Sequence, residues 1–241
     1  MAQIKDFIKK TFRKLGFDLH RITPGSNQSL QLVKALNRFD IDLVLDVGAK
    51  IGQFASELRV FGFGGVIVSF EPLSSAHFVL SSAAMRDDSW KVHPRCAIGD
   101  YDGVSEINVS GNSVSSSLLP MLKAHSSAAS DSAYTQSERV QVLKLDSIDS
   151  SYFKEASQIF LKIDTQGFES KVLDGAKKTI PNIKGIICEL SLVPLYEGQC
   201  LWREMVRQIE DLGFTLWSIQ PGFVDARDGR TLQIDAIFFR L

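Results

Sequence analysis

Residues 43–54 read LVLDVGAKIGQF. Leu43 to Val47 is a short apolar run ending at glycine, which suits a buried strand. Gly48 turns the chain, and the stretch from Gly52 to Phe61 has helical period. Strand, glycine turn and helix make the first unit of an alternating α/β chain.

The pattern continues outward from there. Val66 to Phe70 (VIVSF) is a second strand, Ser74 to Met85 suits a helix, and Trp90 to Ile98 is expected as a third strand. Ile159 to Ile163, Ile183 to Leu190, Thr215 to Ile219 and Ile234 to Phe239 follow as strands, with helices expected at Phe168 to Thr179 and Leu201 to Leu212. Such alternation argues a mostly parallel sheet covered on both faces. Only Gln220 to Leu232 joins the last two strands, and PGFVDARDGR is loop chemistry. Without a crossover helix that connection must be an antiparallel hairpin, so the final strand is expected to run antiparallel.

Two segments stand outside this rhythm. Ser110 to Ser132 holds nine serines in 23 residues, between expected extra strands at Gly103 to Val109 and Val140 to Leu145. Residues 103–145 therefore read as an insertion: either a lid over a site or a solvated surface loop. The first twenty residues read as an amphipathic helix with Gly16 as its stop, and Ile4, Phe7, Ile8, Phe12 and Leu15 recur at helical spacing. Lys5, Lys9, Lys10, Arg13 and Lys14 cover much of the rest. That helix either packs on its own domain or docks on a membrane surface or partner. Residues 1–29 are thus helix and linker, and 30–241 the main domain.

Composition sets the outer bounds. Of 241 residues 44% are apolar, and 27 basic residues oppose 28 acidic ones for a net charge of −1. A nucleic-acid partner would need a basic excess, so none is expected. Cys96, Cys188 and Cys200 form no close pair, and the four histidines are scattered, so no metal site is expected. No stretch resembles a signal peptide or a membrane span, which makes a reduced, cytoplasmic setting the expectation.

Ligands of an open α/β sheet bind beyond the carboxyl ends of its strands. The first turn there is G-x-x-x-G with Lys50 inside it, so it lacks the bare backbone of a pyrophosphate cradle. That disfavours a nicotinamide oxidoreductase. Glu71 ends the second strand, 25 residues after Asp46, where a carboxylate can accept both hydrogen bonds of a ribose diol. A glycine turn and a ribose carboxylate without a phosphate cradle suit a nucleoside ligand. S-adenosylmethionine is the common one, its positive charges matching carboxylates such as Asp46.

These motifs in order (LVLDVGAKIGQF, VSFEP, CAIGD, LKLD, FLKIDTQGFESKVLDGA and IICEL) resemble the FkbM family of class I S-adenosylmethionine-dependent methyltransferases. The resemblance runs from about Leu43 to Leu190, and KIDTQGFE is its most specific part. It implies a seven-stranded Rossmann-like sheet with an antiparallel last strand. It also implies O-methyl transfer to a hydroxyl of a sugar, glycan or related natural product, with S-adenosylhomocysteine as co-product. The cofactor residues it implies are Asp46, Val47, Gly48, Ala49, Gly52, Gln53, Phe70, Glu71, Pro72, Cys96, Ala97 and Asp164. Family members usually carry Asn at Lys50, and many a valine-glutamate pair at Thr165 and Gln166.

Methyl transfer to a hydroxyl needs alignment and a group to take the proton. Asp164, at the end of the fourth strand, is the first candidate base, against a purely positional aspartate. Glu189, at the end of the fifth, is the second, against a buried acid paired with a lysine. Acceptor contacts are expected from Ser116 and Ser117 in the serine-rich stretch, from His125, from Glu169 and from Asp235. For His125 the alternative is plain exposure, and for Glu169 it is service to the helix dipole. For the chain as a whole the alternative is a non-catalytic nucleoside-binding or scaffold protein on the same fold.

Overall fold

The structure is a computed structural model that describes residues 2–153 and 156–241, with side chains from Asp6 onward. The side chains of Ile4 and Lys5, assigned above to the two faces of the first helix, lie outside the described residues. The helices are α1 (Ala2–Lys14), α2 (Gln28–Arg38), α3 (Gln53–Val60), α4 (Ser74–Ala84), α5 (Lys123–Ala128), α6 (Glu169–Asp174) and α7 (Trp202–Asp211). The strands are β1 (Leu43–Val47), β2 (Val66–Phe70), β3 (Trp90–Val92), β4 (Ala97–Ile98), β5 (Gly103–Ser110) and β6 (Tyr134–Leu143), then β7 (Ile159–Ile163), β8 (Ile183–Ser191), β9 (Thr215–Pro221) and β10 (Gln233–Phe239).

Seven strands form one sheet in the order β3-β2-β1-β7-β8-β10-β9. From β3 to β8 all pairs are parallel; β10 runs antiparallel between β8 and β9, as the short last connection requires. The pleat sorts β1 and β7 by parity. Leu43, Leu45, Val47, Ile159, Leu161 and Ile163 enter one core with Leu173, Met205 and Ile209 of α6 and α7. Val44 and Phe160 enter the opposite core with Leu32 and Leu36 of α2 and Leu58 of α3.

The same parity puts Asp46 and Lys162 on the α2/α3 face, and the parallel register places them side by side. Lys162 Nζ lies 3.0 Å from Asp46 Oδ1. Ser69, the register partner of Asp46 on β2, donates its hydroxyl to Asp46 Oδ2 at 3.2 Å and accepts from the Trp90 indole at 2.9 Å. A buried polar row therefore crosses four strands, and each side chain in it has a partner.

Three element expectations are corrected. The stretch from Trp90 to Ile98 is two strands, because Pro94 cannot donate to a ladder; β3 stays in the main sheet and β4 joins β5 and β6 in a second, three-stranded one. The helix after β7 stops at Asp174 rather than Thr179, with Gly175 as its C-cap packed so closely that a Cβ would lie 1.8 Å from the Gly99 carbonyl. The strand expected at Val140 begins at Tyr134, where one face is solvated and the apolar signal fades. The serine-rich connection is neither solvated throughout nor detached. Leu119, Met121 and Ala128 pack against buried Leu195 and Tyr196, and the Ser117 hydroxyl donates to the Gln166 carbonyl at 2.7 Å.

Candidate active site

The strand order reverses between β1 and β7, the place where open sheets leave a crevice at their carboxyl edge. Two clefts open there. The smaller is walled by Phe70, Pro72, Leu73, Cys96, Ala97, Ile98 and Phe168, with Glu71 at its polar end. The larger lies between the start of α2, Gln53 and Phe54 of α3, and Lys162, Gln220 and Asp235 of the sheet. Gly48, Lys50, Val114 and Asp164 belong to both.

The glycine turn builds the floor. Gly48 has φ +78°, and a Cβ there would sit 1.9 Å from the Asp164 carbonyl, so only glycine lets β1 and β7 close this tightly. Lys162 ties the turn from below, donating to the Gly48 carbonyl at 2.7 Å. Lys50 adopts φ +54°, which turns its N–H onto Glu71 Oε2 at 2.7 Å and its ammonium onto Asp164 Oδ2 at 2.8 Å. Glu71 Oε1 accepts the Leu73 N–H at 2.9 Å. Burial pushes the Glu71 carboxyl up to about 7, against the pull of those donors and of Lys162 and Lys50. Cys96 rises to about 12 through burial and the Glu71 charge, which makes it wall rather than nucleophile.

Asp164 is the charged centre. Burial opposes its ionisation, yet Lys50 and Lys162 hold it well below the usual carboxylate range. Its second oxygen accepts the Gln166 amide at 2.9 Å. That amide also donates to Glu189 Oε2 at 2.7 Å, and Gln233 donates to the same oxygen at 2.6 Å. Glu189 is thus held by two glutamines rather than by a lysine. Burial, the Asp164 charge and its neighbours raise its carboxyl well above the ordinary value. Asp235 lies directly across from Glu189 on β10 and lines the larger cleft; burial and Asp164 raise it to about 6.

Not every residue expected at the site reaches it. Val47, Gly48, Phe70, Glu71, Pro72, Cys96, Ala97 and Asp164 line the smaller cleft; Ala49 and Gln53 line the larger. Asp46 lines neither, because strand parity buries it against Lys162 and Ser69. Gly52 packs beneath Trp90. Glu169 turns back on its own loop, accepting from the N–H groups of Thr165 and Gly167 at 3.0 and 3.1 Å. Ser116 lines the smaller cleft, while Ser117 is spent on Gln166 and the Leu119 N–H. His125 is neither exposed nor at the clefts. It sits between the rings of Tyr196 and Phe223, where burial lowers it to about 4.

Tyr196 was not foreseen. Its hydroxyl donates to Gln166 Oε1 at 2.8 Å and lies 3.1 Å from the Ser115 carbonyl, linking the serine-rich connection to the charged centre. It stands in a loop with no periodic signal. Gln220 of the larger cleft is the penultimate residue of β9, and the carboxyl-edge rule applied to that strand would have found it. Among the described residues no group of three or more His, Cys, Asp or Glu is arranged to hold a metal ion. No described helix is long and apolar enough to cross a membrane.

The profile of one protein family, described as the methyltransferase FkbM domain, matches residues 46–216. Among solved structures, the fold is similar to a methyltransferase FkbM from Methylobacillus flagellatus KT at 15% identity and a TM-score of 0.50. That match covers 83% of this chain but 44% of the other, so the chain spans less than half of that protein. Sp1610 of Streptococcus pneumoniae, described as a candidate tRNA (m1A22) methyltransferase, is similar at 11% identity and a TM-score of 0.50, over 89% of this chain and 70% of that one. Both likenesses concern the fold alone. No curated protein matches the chain significantly.

Proposed function

Since the chain belongs to the FkbM methyltransferase family, we propose that it transfers a methyl group from S-adenosylmethionine to a hydroxyl of a sugar, glycan or related natural product. Residues 30–241 are the methyltransferase domain in this reading. The observation that carries it is the crevice running from Glu71 to Asp164 across the glycine turn.

The residues present suit the donor. Each Glu71 oxygen accepts one backbone N–H and keeps a lone pair, so the carboxylate can still take both hydroxyls of a ribose. The apolar wall of Phe70, Pro72, Leu73, Cys96, Ala97 and Phe168 suits a flat base beside it. Gly48 lines both clefts where they join. When bound, the donor supplies an electrophilic methyl on a cationic sulfur.

Asp164 pairs with Lys50 and Lys162 at the junction and is a poor proton acceptor, because those two lysines keep it ionised. The base expected there on sequence grounds is better matched by Asp235. It faces the larger cleft, and its value near 6 lies close to working pH. Glu189, coupled to Asp164 through Gln166, fixes the orientation of that amide.

Titration calorimetry with S-adenosylmethionine tests the cofactor half: wild type binds, and Glu71→Gln binds at least tenfold more weakly. Absence of heat for wild type at millimolar donor would remove the reading. Methyl-labelled donor with a panel of sugar hydroxyls then tests transfer. Binding without product on any acceptor favours the non-catalytic alternative.

A further inference from the structure

We propose that α1 is a membrane-surface anchor that lies in the headgroup region of an anionic bilayer. Every residue from Asp6 to Ser26 is exposed, so α1 from Asp6 onward finds no cover among the described residues. Phe7 is 72% exposed, and Ile8 and Phe12 stand with it on one arc of the helix, with exposed Leu15 just past its end. Phe17 and Ile22, in the segment that follows, are 64% and 65% exposed. A 13-residue helix is about 20 Å long and is marginal in water without a partner for its apolar face.

The charges on the opposite arc choose that partner. Lys9, Lys10, Arg13 and Lys14 oppose one acid, Asp6, within the described part of the helix. Arg13 is paired with Asp18 at 3.2 Å, which leaves three lysines for an outside anion. A second copy of the chain would bring like charge against like charge. Anionic lipid covers the apolar arc and answers the lysines together, while their stems reach along the interface. Residues 15–27 run directly from this helix to Gln28 and Ser29, which line the larger cleft. The anchor is therefore tethered to the mouth of that cleft by a short connection.

Co-sedimentation of the whole chain with sucrose-loaded vesicles tests the proposal. Vesicles of phosphatidylcholine with about a third phosphatidylglycerol should pellet most of the protein, and phosphatidylcholine alone should leave it in solution. Raising sodium chloride from about 0.1 M to 0.5 M should cut the bound fraction severalfold, since it shortens the screening length. Phe7→Ser with Phe12→Ser, and separately Lys9→Glu with Lys10→Glu, should each reduce binding about tenfold at an unchanged melting temperature. No pelleting with anionic vesicles overturns the proposal. So does pelleting that neither pair of substitutions lowers. Analytical ultracentrifugation showing a dimer that Phe7→Ser with Phe12→Ser dissociates, in a protein that ignores vesicles, assigns the face to a second copy instead.

Discussion

The ammonium of Lys50 lies 2.8 Å from the carboxylate of Asp164, and this pair is the charged part of the wall shared by the two clefts. Burial alone would discharge the lysine, but Asp164, Glu189 and Glu71 hold its proton more firmly than usual. A cation drawn toward Asp164 therefore meets a resident cation. The acidic edge read from the sequence is, at its centre, already half neutralised by Lys50 and Lys162.

Replacing that resident charge should distinguish a cationic ligand from a neutral one. Asparagine tolerates the left-handed φ of +54° at position 50, so Lys50→Asn keeps the turn and the N–H to Glu71. Affinity for S-adenosylmethionine should rise about fivefold relative to S-adenosylhomocysteine, on the order of 1 kcal/mol of relieved repulsion. Calorimetric titration with both ligands reads the ratio directly. An unchanged ratio would show that the lysine swings clear when ligand enters.

The close approach at Gly48 makes a sharper claim about the fold. Gly48→Ala combines a left-handed alanine with a Cβ 1.9 Å from the Asp164 carbonyl, and should lower stability by about 3 kcal/mol or more. For a chain of this size that is a fall in Tm of roughly 6–12 °C. Gly62 has a similar φ of +91° with nothing within 4 Å, so Gly62→Ala should lose only about 1 kcal/mol. Thermal melts of both variants separate crowding from backbone strain; equal losses would deny the crowding.

What could be read in advance follows from which forces act locally. The mostly parallel sheet and its antiparallel last strand were legible because Leu43–Val47 and Ile159–Ile163 are apolar but for Asp46 and Lys162, and because the last connection has no helix. Glu71 was legible because it ends its strand. Asp46 misled because it sits one residue before the turn, and only the parallel register with Lys162 shows which way it faces. His125 and Tyr196 were illegible for a related reason. Their partners lie far along the chain, and a loop carries no period from which burial can be read.

The pH dependence of turnover should report Asp235. It faces Asp164, Lys162 and Lys50 across the larger cleft and Glu189 across the strand pair, and its carboxyl titrates at about 6. If it takes the hydroxyl proton, kcat is full above that value and falls about tenfold per unit below it. Asp235→Asn should abolish the acid limb and lower kcat by about 10²–10⁴ while leaving donor affinity within a few fold. A variant that keeps both the rate and the limb assigns the proton transfer elsewhere, with Glu189 the next carboxylate to replace.

Glu169 ties stability to pH independently of catalysis. It is 4% exposed, and burial with the Asp164 charge raises its carboxyl from 4.5 to about 7, despite its backbone donors. Between those values the folded chain keeps a proton that the unfolded chain has lost. The contribution is therefore fully present below pH 4.5 and is lost as pH rises through about 7, at most about 3 kcal/mol. Glu169→Gln keeps an oxygen for the Thr165 and Gly167 N–H groups but cannot ionise. Wild type and variant should melt together at pH 4.5, and the variant should melt several degrees higher at pH 8. Glu71 and Asp235 add slope to both proteins alike, so the difference between the two curves isolates Glu169. A variant that is less stable at pH 8 would mean that the ionised carboxylate, not the neutral acid, braces the turn after β7.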